Sequence, residues 1–170
     1  MRKLLVMLGL LLVLPLAAHA QGTTIFGGYS YVRLNTGAVG SITPTNINMH
    51  GWDASLTESM FKIIGATADF GQTYATISGV KTRQTTYMFG PELHFPARIS
   101  PFVHALFGIA HVNGGSLSDN AFASAEGGGI DLHAGHFLGL RVIQADYLNT
   151  HFRSTRQNDL RLSAGILLRF

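Results

Sequence analysis

Leu160-Arg161-Leu162-Ser163-Ala164-Gly165-Ile166-Leu167-Leu168-Arg169-Phe170 is the stretch on which the fold reading turns. Side chains of a β-strand point alternately to its two faces. One face here carries Leu160, Leu162, Ala164, Ile166, Leu168 and Phe170; the other carries Arg161, Ser163, Gly165, Leu167 and Arg169. The period of two predicts a strand with one greasy face and one mostly polar face.

The start of the chain says where such a strand belongs. Arg2 and Lys3 form a positive n-region, residues 4–14 are an unbroken apolar run, Pro15 breaks it, and Ala18-His19-Ala20 is a small-x-small cleavage site. Residues 1–20 therefore read as a secretory signal peptide, being too short an apolar run for a spanning helix. A mature chain over 21–170 is one domain's worth of residues. Removing Arg2 and Lys3 takes Lys+Arg from 12 to 10, against 9 acidic residues. The mature chain is near neutral and has no basic run, so no nucleic-acid partner is expected.

Cysteine is absent, which excludes a disulfide framework in a secreted chain. Charged residues make up only 12% of the chain, while Gly (20) and Phe (11) are abundant. Low charge without a second long apolar run suits a β-barrel whose lipid-facing residues are diluted by alternation.

Eight strand-like segments follow, at about 24–34, 50–59, 63–74, 83–95, 101–112, 120–132, 137–151 and 160–170. Segments 35–49, 75–80, 113–119 and 152–156 read as longer loops, alternating with short turns. Pro91 inside the fourth segment predicts a bulge or local gap, because proline cannot donate to the ladder. Gly127-Gly128-Gly129 predicts a kink or a close backbone approach. In the seventh segment, Leu138, Leu140 and Val142 share a parity with Gln144 and Asp146. A bulge near Val142-Ile143 would group Arg141 with Gln144 and Asp146. These observations predict an all-β, eight-stranded antiparallel up-and-down transmembrane barrel. Its eighth strand must close on its first, because backbone groups cannot stay unpaired in lipid. A soluble lipocalin-like barrel, apolar inside and polar outside, is the alternative; the face that carries Arg161 and Arg169 decides between them.

Several stretches carry a family resemblance. Residues 25–33 (IFGGYSYVR) resemble the first strand of small Gram-negative outer-membrane β-barrel domains. Residues 86–92 (TYMFGPE), 101–108 (PFVHALFG), 120–131 (NAFASAEGGGID) and 143–148 (IQADYL) resemble the set seen in acidobacterial barrels. The ordered set, spanning the whole mature chain, resembles the OmpA/OmpX-type eight-stranded superfamily. That resemblance implies a barrel in the bacterial outer membrane with both termini periplasmic. It implies contact with outer-membrane lipids and lipopolysaccharide, and handling by the barrel-assembly machinery, for which Phe170 on its alternating strand resembles the terminal signal. It implies no reaction and no cofactor, and it names no extracellular partner. The peptidoglycan-binding domain of full OmpA-type proteins has no counterpart in this sequence.

On these registers Asp53, Asp69, Glu92, Glu126, Arg141, Asp146, Arg161 and Arg169 point into the lumen, with His94 and His104 as additions. Eight strands leave an interior that side chains can fill, and buried charges must be paired. The expected arrangement is a charge-plugged lumen, with a structural or surface-interaction role for the protein. A narrow small-solute pore and a ligand site at one rim are the alternatives. Tyr29, Tyr31, Trp52, Tyr87, Phe95, Phe107, Tyr147 and Phe170 are expected to form aromatic girdles at the membrane interfaces.

Catalytic and metal readings are weaker. His133 and His136 share a short turn with only Asp131 near them, whereas zinc needs three or four ligands. His104 and His111 are seven apart, hence on opposite faces of a strand. Lipid A-modifying barrels use a His, a Ser and a carboxylate near the outer leaflet. Here His151, Ser154 and Asp146 are the nearest set, at the wrong spacing for a base within reach of its nucleophile. No catalysis and no metal are expected.

Overall fold

A computed structural model describes residues 22–36, 45–77, 79–114, 117–152 and 155–170. The proposed signal peptide, residues 1–20, lies outside them. The described chain consists of β1 (Thr23–Thr36), β2 (Thr45–Ser59), β3 (Ile64–Ile77), β4 (Val80–His94), β5 (Ile99–Gly114), β6 (Leu117–Ala134), β7 (Leu138–Phe152) and β8 (Thr155–Arg169). Each pairs antiparallel with the next, and β8 pairs with β1 to close the barrel. Closure runs from Arg33↔Leu160 to Thr24↔Arg169. It continues through mutual backbone bonds between Thr23 and Phe170, at 3.1 and 2.9 Å. Every strand is thereby paired on both edges, which leaves no edge free to recruit another chain.

The strands run further than the alternation suggested at the end away from Thr23 and Phe170. Residues 75–80 and 113–119, read as loops, belong mostly to paired strands: β3 and β4 pair out to Ile77↔Val80, and β5 and β6 to Gly114↔Leu117. The Thr, Gly and Asn residues there look like loop chemistry, yet a two-stranded ladder extends as readily through polar residues whose side chains meet water. Gly79 takes φ 81° in the tight β3–β4 turn, the left-handed region that favours glycine.

Three local irregularities aim side chains into the lumen. Around Pro91 the β4–β5 ladder skips from Phe89↔Phe107 to Glu92↔His104 without changing register, a gap rather than a bulge. The pairing of β7 shifts between Arg141 and Gln144. Val142 and Ile143 both lie on the outer wall as a result, while Arg141, Gln144 and Asp146 are all buried inside. At Gly129 a Cβ would come 2.8 Å from the Phe102 ring, and at Gly127 it would come 2.3 Å from Asp146 Oδ1. These two glycines give up side-chain volume so that an aromatic ring and a carboxylate can cross the lumen against bare backbone.

Ile25, Tyr29, Trp52, Leu56, Tyr87, Phe89, Leu93, Val103, Phe107, Ile109, Leu140, Tyr147 and Ile166 are all exposed on the outer wall. Inside lie Asp53, Asp69, Glu92, Arg141, Asp146 and Arg161, all buried. Arg161 faces inward and the outside is apolar, the inverse of a lipocalin-like barrel.

Candidate functional site: a charged lumen network

The barrel interior is bound together by one polar network centred on Arg161 of β8. Its Nη1 and Nη2 donate to Asp69 Oδ1 and Oδ2 at 2.8 and 3.2 Å, a bidentate pair. Its Nε donates to Asp146 Oδ2 at 2.8 Å, and Asp53 Oδ2 lies 3.7 Å from Nη1. Ser163 Oγ donates to that same Asp53 oxygen at 2.9 Å, with Ser30 Oγ 3.3 Å away. Arg161 thus draws three carboxylates from β2, β3 and β7 onto one guanidinium.

Asp146 links this centre to two others. Its Oδ1 lies 2.8 Å from His104 Nε2, and its Oδ2 accepts from Gln144 Nε2 at 2.8 Å. Gln144 Oε1 accepts from Arg141 Nη1 at 2.6 Å, and Arg141 grips Asp131 through Nε and Nη2 at 2.8 and 3.0 Å. The Arg141 guanidinium is stacked between the rings of Phe26 and Phe102, 4.6 and 4.0 Å from their centroids. On its other side His104 places Nδ1 3.8 Å from Glu92 Oε2. That oxygen accepts from Thr67 Oγ1 at 3.0 Å, and Thr67 is itself hydrogen-bonded to Thr57 at 2.9 Å. Ser30, Asp53, Asp69, Glu92, His104, Asp131, Asp146 and Arg161 come one from each of the eight strands, so the network cross-links the whole wall.

Five carboxylates meet two guanidiniums and one imidazole here, so hydroxyls and an amide supply the remaining donors. Such a set is tolerated in a low-dielectric interior only while its members stay paired. Asp53 Oδ1 is buried with no hydrogen-bond partner among the described residues.

The lumen is filled on both sides of the network. Toward the hairpin end, that is the end away from Thr23 and Phe170, lie Met88, Leu106, Ala110, Ala123, Ala125 and Leu148, and a second apolar group of Val32, Leu34 and Met49. Between the apolar layer and Arg161 there is a void of about 10 Å³, lined by Ser30, Thr73, Gln84 and Thr86 among others. That is room for about one water. Toward the end that carries Thr23 and Phe170 the lumen opens into a vestibule of about 370 Å³, with Glu92, Asp131 and Arg141 among its walls.

Six of the eight residues read from the sequence as lumen charges lie in this network: Asp53, Asp69, Glu92, Arg141, Asp146 and Arg161. Arg169 lines the vestibule and makes no ion pair among the described residues. Glu126 is a correction. It lies exposed on the outer wall, paired across the sheet with Ala105 and Tyr147. Phe122, Ile130 and Leu132 share its parity, and that run of large apolar residues was a sufficient signal for its face. The same parity puts Asp131 inside, where sequence reasoning had not counted it. Gln144 and Ser163 were also missed as network members, being neutral.

The eight aromatic residues expected as girdles all lie on the outer wall or at its margins, whereas Phe26 and Phe102 face the lumen. Tyr29, Tyr31, Trp52, Tyr87 and Tyr147 sit where the outer wall turns polar. The next outward residues toward the hairpin end are Arg33 beyond Tyr31, His50, Thr85 and Asn149. Phe70 belongs to the same belt, with ring centroids 5.1 Å from Trp52 and 4.8 Å from Tyr87. Phe107 lies one outward position deeper, below Ile109. Phe95 and Phe170 mark the opposite margin with Phe61 and Phe137, all exposed.

The remaining candidates do not assemble. His133 Nδ1 lies 2.8 Å from the Ala97 carbonyl oxygen. No group of three or more His, Cys, Asp or Glu able to hold a metal occurs among the described residues. His151 is exposed on the outer wall, Asp146 is fully engaged inside, and Ser154 lies outside the described residues.

Comparison with solved structures gives the architecture a context. Neisserial surface protein A is similar with a TM-score of 0.64 and 12% identity, over 87% of this chain and 97% of that one. OprG from Pseudomonas aeruginosa gives 0.58 at 9% identity, over 89% and 97%. Ail, the attachment invasion locus protein of Yersinia pestis, gives 0.55 at 18%, over 88% and 98%. No family model matches the chain, and no curated protein matches it.

Proposed function

We propose that this chain, which has the fold of the small eight-stranded outer-membrane barrels, is itself an outer-membrane barrel. It works through its wall and rims, in membrane integrity or surface contact, rather than by catalysis or transport. The outer wall supports the membrane placement. From Phe95, just past the end of β4, to Tyr87 the outward residues stay apolar over roughly 20 Å at a strand tilt of about 40°, near the ~25 Å apolar band of membrane barrels. An aromatic belt borders that band at both margins, where amphipathic rings favour the headgroup level. The strands run further beyond the apolar band at the end away from Thr23 and Phe170, which accords with an extracellular location for that end and a periplasmic one for the two chain termini. Lipids and lipopolysaccharide are its surroundings in this reading.

The observation that carries the sealed-lumen reading is the network drawn from all eight strands, with apolar side chains packed beyond it. An ion crossing the lumen would have to part the Arg161–Asp69 and Arg161–Asp146 pairs. A surface-contact role has the further support that Ail, a barrel of the same fold, is named for attachment and invasion. The test is conductance of the refolded chain in planar bilayers. The expected result is silence, with heat-modifiable gel mobility proving that the barrel has folded. Stable single-channel steps from folded protein would overturn the sealed lumen in favour of a small-solute pore.

A further inference from the structure

The outer wall carries a basic cleft just beyond the aromatic belt on β2 to β5. Its residues stand in a cross-strand row: Tyr31↔His50, His50↔Tyr74, Tyr74↔Arg83 and Arg83↔Asn113 are all direct register partners, with side chains on the outer face. Lys81 lies two residues further along β4 on the same face. The cleft between these residues has a volume of about 720 Å³ and is lined by His50, Tyr74, Lys81, Arg83 and Asn113.

Three features of this cleft point to an anionic ligand. Arg83 and Lys81 make no ion pair among the described residues, and Arg83 is held over the Tyr74 ring with 5.6 Å to the centroid. No described carboxylate of β1 to β4 faces outward at this end: Asp53, Asp69 and Glu92 are in the lumen, and Glu58 is bound by Thr23 Oγ1 at the other end at 2.7 and 3.0 Å. Arg33 adds a third cation on the neighbouring β1. A cationic cluster with no counter-charge calls for a phosphate or similar anion, and Arg matches phosphate oxygens in a bidentate manner.

The surface directly below the cleft decides which source of anion fits. The Trp52, Phe70 and Tyr87 rings form a contiguous apolar shelf. Beside them a second groove of about 770 Å³ runs along Phe70, Tyr87, Phe89, Phe107 and Ile109. A free anion has no use for that shelf, whereas a lipid with a charged head and acyl chains would fill both. We propose that the His50–Tyr74–Arg83–Lys81 cleft and the aromatic groove beneath it form a binding site for a phosphate-bearing glycolipid of the outer leaflet. The phosphate sits on Arg83 and Lys81, and the acyl chains lie along Phe70, Tyr87 and Phe107. This site rests on the outer-membrane reading above.

The test is native mass spectrometry of the refolded full chain in detergent, titrated with bisphosphorylated lipid A. Two further titrations use the same lipid stripped of both phosphates, and inorganic phosphate alone. Heat-modifiable mobility is recorded on each sample. The expected result is retention of bisphosphorylated lipid A, at least tenfold weaker retention of the stripped lipid, and a similar loss in the Lys81→Gln/Arg83→Gln double variant. Arg83→Gln alone gives an intermediate loss, and Lys62→Gln, in the turn at the opposite end, binds as the parent does. Equal retention by the folded double variant overturns the site. So does saturable binding of inorganic phosphate alone with no preference for the lipid, which makes the cleft a free-anion site. A chain that never shows heat-modifiable mobility overturns the membrane reading itself, a result separate from either of these.

Discussion

Asp146 and Glu126 are carboxylates on neighbouring strands, close to mid-strand, and they meet opposite surroundings. Asp146 is 0% exposed and receives His104, Gln144 and Arg161. Glu126 stands on the outer wall among Ala105, Ser124, Gly128 and Tyr147, with no hydrogen bond or ion pair among the described residues. The inner wall carries many charges because those of the buried network answer one another; the outer wall stays apolar by excluding them, with Glu126 the exception inside its band. One wall is stabilised by completeness of pairing, and the other by absence of charge. The two should respond to substitution with opposite signs.

The largest effect is expected at Arg161. Arg161→Met removes the common partner of Asp53, Asp69 and Asp146, and breaking a buried ion pair from one side costs about 3–5 kcal/mol. Urea unfolding of the refolded barrel, followed by heat-modifiable mobility, should show most of the folded fraction gone under conditions where the parent is intact. A midpoint equal to the parent's would mean that the lumen does not depend on its pairing. Arg141→Leu is the next step down. It strands Asp131, but that carboxylate borders the open vestibule where water can reach it, so the loss should be nearer the about 1–3 kcal/mol of an unsatisfied polar group. A loss larger than that of Arg161→Met would invert the ranking drawn from burial. The smallest effect is a gain. Glu126→Leu removes the carboxylate from the apolar band and should raise the urea midpoint. The gain should stay below the about 2–4 kcal/mol that a lipid-facing Arg or Lys costs at the midplane. A lowered midpoint would show that Glu126 has a partner on the outer wall.

Much of this comparison is legible in the sequence. The alternation of 160–170 places Arg161 and Ser163 on one face and Leu160 and Ile166 on the other, and that parity holds in β8. The broken alternation of the seventh segment suggests a bulge near Val142-Ile143, which would group Arg141 with Gln144 and Asp146; the register itself is fixed only by the pairing of β7 with β8. The charge of Glu126 points to the lumen, but Phe122, Ile130 and Leu132 on the same parity give its outward face. The hairpins at Ile77↔Val80 and Gly114↔Leu117 were hidden for another reason. Beyond the apolar band both faces of a strand meet water, so the alternation that reveals a strand disappears although the ladder continues.

Pleating is a local property, set by each residue and its two neighbours, and so the sequence alone determines which face a side chain takes once a strand is recognised. It thereby determined which residues share the apolar face and which the charged one, and the count of eight strands; that the charged face turns inward was decided by the barrel. Which charges meet is not local. Asp69 and Arg161 are 92 residues apart, and they touch only because seven hairpin registers and the closing β1–β8 register add up to one stagger around the barrel. The tertiary structure alone decided that Arg161 serves three carboxylates, that His104 stands between Asp146 and Glu92, and that Gly127 and Gly129 leave the space these contacts need. It alone also brought Arg83 and Tyr74 together above the aromatic shelf, where cross-strand register sets the spacing of a surface that no single strand contains.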